Sequence, residues 1–184
     1  KPLTEPPPRY AEWLDYCFGR IERLGDTADP WDERLANDSI ELTDEELVAL
    51  FEVTMRRSGA DLAPFRDEAV GAGLTIILDA SHSDFGHRIR SAPVAVERKV
   101  NAIRAIKSLY DDVLTPRAQP RLGHLSETGS DRLSYICYML WDVTGLAYWA
   151  ERDEHEAVPQ AILEVLEHAL TSPNDAVIES GLHG

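Results

Sequence analysis

The run from Leu133 to Ala150 constrains the fold most. It is eighteen residues long, carries Asp142 as its single charge, and spreads Tyr135, Tyr138, Trp141, Tyr148 and Trp149 around the helical wheel. A helix apolar on every side has to be enclosed, by other helices or by lipid. Its length approaches that of a bilayer span. Three features decide against lipid: Asp142 at the centre of a span would cost about 2.5–3.5 kcal/mol, an acidic stretch follows from Glu151 to Glu156, and the aromatic residues line the whole segment instead of its two ends. The expected structure is a central helix over 133–150 inside a soluble, all-α domain.

The flanking sequence supplies what such a helix needs around it. Tyr10, Trp13, Leu14, Cys17, Phe18, Ile21 and Leu24 fall on one face of a helix that Gly25 is placed to end. Thr43-x-x-Glu46 is a capping box, and Leu42 with Leu47 has staple spacing. The helix it opens buries Leu47, Leu50, Phe51 and Met55 and closes at Ser58-Gly59. A third helix is predicted from Ala63-Pro64, with Pro64 in its first turn and Phe65, Ala69, Gly73, Ile76 and Ile77 on one face. Gly71 and Gly73 cost helix propensity and mark a close crossing with a neighbour. Residues 81–93 read as a loop, and a long helix from Pro93 presents Val96, Val100, Ile103, Ile106, Tyr110, Val113 and Leu114.

After an irregular stretch, 115–129, Ser130 is placed to cap the central helix. Val158-Pro159 opens another, with Ile162, Leu163, Leu166, Ala169 and Leu170 as its buried stripe. Ser172-Pro173 is read as N-cap and N1 of a last helix through Val177, Ile178 and Leu182. No segment alternates as a half-buried strand does. A single helical domain over 9–184 is expected, behind an extended, poorly ordered leader, Lys1 to Pro8, with three consecutive prolines. The chain does not begin with Met, and its apolar pattern runs to Gly184 without a terminator, so a longer natural chain is expected.

Charge narrows the partners. The formal net charge is -15, which opposes nucleic acid and anionic membrane, both of which require clustered Lys and Arg. A basic protein surface is the partner it suits. Residues 26–46 hold nine acids against the single Arg34. Within them Asp29, Trp31, Asp32 and Glu33 form the candidate binding patch, an aromatic anchor among acids. The alternating register of a calcium loop is absent there. Cys17 and Cys137 lie in apolar patterns without metal-site spacing, as buried thiols in a reducing cytoplasm would.

Residues 158–184 carry Ala161-Ile-Leu-Glu-Val-Leu166, then Ser172-Pro-Asn-Asp175, then Val177-Ile178, with Gly181 further on. This resembles one unit of a HEAT-type helical repeat, with Ile178 where those repeats commonly carry Arg. Residues 44–78 make a second hairpin of similar size, and 94–150 a third with a 15-residue insertion. The resemblance implies antiparallel hairpins stacked as a right-handed α-α superhelix and a surface that holds other proteins. It implies no catalytic residues.

Three constellations hold residue types that can carry chemistry. His82-x-Asp84-x-x-His87, with Asp79 upstream, is a weak metal candidate, since the spacing matches no zinc motif and Arg88 and Arg90 oppose a cation. Glu151 with His155 and Glu164 with His168 are each one residue longer than the Glu-x-x-His of two-metal bundles, and read as surface pairs. Asp142, taken as buried, needs a partner; it either ties the central helix to a neighbouring Arg or to helix-terminal amides, or serves a pocket lined by Tyr135, Tyr138 and Trp141. No phosphate loop, dinucleotide fingerprint or nucleophile elbow occurs, and no cofactor is expected. The preferred function is a non-enzymatic, cytoplasmic interaction module, in its sharpest form an immunity- or antitoxin-type inhibitor of a basic partner. A ligand-binding or enzymatic domain with its pocket near Asp142 is the rival.

Overall fold

The computed structural model describes residues 1–25, 35, 39–121, 131–147 and 156–184. Among these the regular elements are all helical, and the one extended pairing is an isolated bridge between Asp79 and Thr144. Helix α1 covers 10–24 and contains a π-helical turn at Asp15–Gly19; Gly25 ends it at φ 79°. Tyr10, Trp13, Cys17, Phe18 and Ile21 form its buried face. Helix α2 is Asp44–Arg56, followed by a single turn at Ser58–Asp61. The predicted capping box is present: Glu46 N–H donates to Thr43 Oγ1, and Thr43 N–H donates to the Glu46 carboxylate at 2.8 Å.

Helix α3 spans Asp67–Leu78. It starts three residues beyond Pro64, because the chain closes a turn at 62–65 first. Helix α4, Phe85–Ser91, lies within the segment read as a loop. Its Arg88 staples it to the start of α2, donating to Asp44 at 2.9 Å and to the Leu42 carbonyl at 2.6 Å. Helix α5 covers 96–117, with a π-helical turn at Tyr110–Leu114. Helix α6 is Arg132–Val143, capped by Asp131 through the Ser134 N–H at 2.7 Å.

The central helix is therefore shorter than its apolar run. At Thr144 the backbone turns extended (ψ 134°), Ala80 N–H takes the Val143 carbonyl at 3.0 Å, and a 3-10 turn follows at Gly145–Ala147. Helices α7, Ala157–Ala169, and α8, Asp175–His183, complete the chain. The cap of α8 is Asn174, not Ser172. Its side-chain oxygen accepts from Ala176 N–H while its Nδ2 donates to the Thr115 and Ala118 carbonyls, both at 2.9 Å, so one buried side chain starts α8 and ties it to the end of α5.

Packing follows two rows. Helix α5 lies against α2 on one side and α7 on the other; α6 lies between α3 and α8; α7 and α8 pack on each other; and α1 covers α3. The crossing predicted at the glycines is real. A Cβ on Gly71 would sit 2.5 Å from the Leu133 backbone N, and one on Gly73 would overlap the Phe18 ring. The leader is extended, but Leu3 packs on the core and its N–H donates to buried Glu52 at 2.7 Å. Arg56, at 3.3 Å, and Arg98, at 3.8 Å, neutralise that carboxylate. Among the described residues no helix is long and apolar enough to cross a membrane.

Candidate functional site

The patch Asp29, Trp31, Asp32, Glu33 lies outside the described residues, as do Glu151 and His155. Beside the acidic connection the chain is anchored at Leu35, which is buried and whose carbonyl accepts from Arg20 at 3.4 Å. An open cleft of about 360 Å³ lies next to it, lined by Glu12, Asp15, Tyr16, Arg20, Arg23, Ser39 and Ile40. Two of its charges are matched to each other. Arg23 grips both oxygens of Asp15, which holds that carboxyl below its usual range against the opposing effect of burial. The Arg20 guanidinium stands 3.8 Å above the Tyr16 ring.

Helix α6 divides the residues of the rival pocket between two sides. Leu133, Ile136, Cys137, Leu140 and Trp141 face inward. Trp141 Nε1 donates to Tyr110 Oη at 2.9 Å, and that hydroxyl meets Ser180 Oγ at 2.7 Å, so the inner side is a buried, hydrogen-bonded seam. Burial drives the Tyr110 phenol well above its usual range, and pushes the Cys137 thiol up to about 12, with Glu179 and Asp131 adding to it. Cys17 is raised by burial as well. Neither thiol supplies a thiolate nucleophile.

Tyr135, Tyr138 and Asp142 occupy the outer side. Asp142 is exposed, contrary to its reading as a buried carboxylate, because it sits seven residues from Tyr135 on the same stripe, opposite Leu133 and Leu140. Its Oδ2 lies 2.6 Å from His183 Nδ1, and the His183 ring meets the Tyr138 ring edge-on at 4.5 Å. The partner of Asp142 is therefore a histidine on α8, in place of the expected arginine or helix-terminal amides. A carboxylate on Nδ1 orients the imidazole and directs Nε2 away from it.

The His82, Asp84, His87 segment turns the chain from α3 into α4. Asp79 accepts from the Ser81 N–H and hydroxyl at 2.8 and 2.6 Å, and Asp84 lies 3.9 Å from Arg88. Among the described residues no group of three or more His, Cys, Asp or Glu side chains is placed to hold a metal ion. Glu164 and His168 do not pair with each other. Each reaches across to α5: Arg104 grips Glu164 with two bonds of 2.7 Å, and His168 Nε2 lies 2.7 Å from Asp111.

One surface escaped the reading from periodicity. Leu163 and Leu170, assigned to the buried stripe of α7, are 48% and 41% exposed, and Leu182 on α8 is 70% exposed. The buried face of α7 is instead Val158, Ala161, Ile162, Val165, Leu166 and Ala169. The available signal was that α7 carries leucines on two faces. No protein-family model, curated protein or solved structure matches the chain.

Proposed function

We propose that this chain is a non-enzymatic, HEAT-like stack of helical hairpins that binds a basic protein, in the manner of an immunity- or antitoxin-type inhibitor. The observation that carries the reading is the order of packing. Helices α2, α5 and α7 follow one another in one row, and α3, α6 and α8 in the other, the order that the successive pairs α2–α3, α5–α6 and α7–α8 of a repeat stack would have, with α7 and α8 packed closely on each other and α5 meeting α6 at its π-helical turn. The rows pack on one another, and among the described residues every acid except Glu52 keeps some exposure to solvent. A net charge of -15 then attracts a basic partner and speeds its approach. Acids near Trp31 offer one contact region, at Asp29, Asp32 and Glu33.

The test is capture from a lysate of the source organism at about 50 and 500 mM salt, with the bound protein identified. A basic protein retained at low salt and released at high salt is the expected result, since screening shortens the reach of exposed charge. Retention of an acidic protein, or binding indifferent to salt, would overturn electrostatic docking. The rival reading, a small-ligand or enzymatic site, is favoured by one observation, the carboxylate-oriented imidazole of Asp142 and His183 beside Tyr138. A ligand or turnover lost in His183→Ala but kept in Leu163→Ser would establish it instead.

A further inference from the structure

The three large apolar side chains exposed among the described residues, Leu163, Leu170 and Leu182, all sit on the last hairpin. Seven residues separate Leu163 from Leu170, so they stand two turns apart on one stripe of α7. Helix α8 lies close beside that stripe, because Gly181 lets it approach: a Cβ there would be 3.1 Å from Ala169 Cβ and 3.2 Å from Leu170 Cδ2. Ile178, one turn before Leu182, is half-buried on the same helix. The outcome is an apolar strip shared by two helices, on the side of α7 away from the face that packs toward α5 and the core.

The fixed charges that this hairpin itself places around the strip are acidic. Residues 156–184 contain five Asp or Glu and no Lys or Arg. Exposed Glu156, Glu167 and Asp175 lie along it, while Glu164 is already engaged by Arg104. A second copy of the chain would bring the same acids against these, and a nucleic acid or anionic bilayer would be repelled. What complements both the apolar strip and its border is a helix with a leucine-type stripe flanked by Lys or Arg.

We infer that the outer face of α7–α8 is a docking site for an amphipathic, basic-flanked helix of another protein. This deepens the proposed function, and rests on it, by assigning the partner's chemistry and the place where it binds. Helices docked in this way are read through anchors at i, i+3, i+4 and i+7, which the spacing of Leu163 and Leu170 matches.

Fluorescence anisotropy with two labelled peptides of identical composition tests it. One is a Leu/Lys helix with all leucines on one face, the other a scramble without a face. The amphipathic peptide is expected to bind tighter than the scramble, and to lose roughly tenfold or more in affinity to L163S/L170S/L182S. These residues are solvent-facing, and a circular dichroism melt verifies that the variant stays folded. Single Leu182→Ser gives a milder version with the same direction. Equal binding of both peptides would overturn this site while leaving the acidic-surface reading intact. Failure of both peptides to bind would count against the two together. Sedimentation showing a dimer that the triple variant dissociates would assign the face to a second copy and overturn the inference.

Discussion

Gly71 and Gly73 set how closely α3 approaches its neighbours. Each occupies a helix interior, where alanine is intrinsically better by about 1 kcal/mol. Each nevertheless faces matter that a methyl group would strike: the Arg132–Leu133 backbone for Gly71, and the Phe18 ring with the Cys17 carbonyl for Gly73. Overpacking of this kind costs about 1–3 kcal/mol, and most where the obstacle is backbone and cannot rotate away. Gly71→Ala is expected to lower the thermal midpoint despite its gain in helix propensity, and more than Gly73→Ala, whose main obstacle is a side chain. Calorimetry on the two variants decides it; a rise in midpoint for Gly71→Ala would mean that the α3–α6 crossing is looser than described. Glycine in an apolar helical pattern pointed to these crossings from sequence alone. The partner of Asp142 was not legible in that way, because His183 lies 41 residues further on and nothing in local spacing links the two.

At the scale of elements, the contact between α5 and α7 joins an apolar inner side to a polar outer ladder. Arg104 with Glu164, Lys107 with Glu164, Asp111 with His168, and Thr115 with Ser172 succeed one another along it. The Arg104 hydrogen bonds hold the Glu164 carboxyl below its usual value of 4.5, against the opposing effect of burial. A depressed carboxylate adds stability that is fully present above the unfolded-state value and is lost as pH falls through the folded one. Glu164→Gln should therefore lower stability at pH 7 by less than about 1 kcal/mol, since the pair is partly exposed. The difference from wild type should shrink as pH falls below 4.5. Urea titrations at pH 7 and pH 3.5 measure it, and a difference that does not depend on pH would remove Glu164 from the linkage. The seam also explains why i, i+4 spacing misled: Glu164 and His168 are neighbours on one helix, but Arg104 and Asp111 of α5 stand closer to each carboxylate and imidazole than they do to one another.

For the whole molecule, 33 acidic residues against 18 basic ones leave a surplus that no set of internal pairs can absorb. Repulsion among like charges destabilises the compact state, and salt screens it over about 10 Å at 0.1 M. Raising sodium chloride from about 10 to 200 mM is expected to raise the thermal midpoint, even though the same salt weakens individual surface pairs. A falling midpoint would show that the pairs, and not the surplus, dominate. Periodicity, caps and charge are written in residues a few positions apart, so the helical character of the described residues, the place of most helices, the capping box that opens α2 and the acidic surplus were all legible from residue order. The break of the apolar run at Thr144, the wet side of α6 and the uncovered leucines of the final hairpin follow from contacts between distant segments. An apolar residue shows in the sequence that it benefits from burial; whether anything covers it depends on helices brought together from distant parts of the chain.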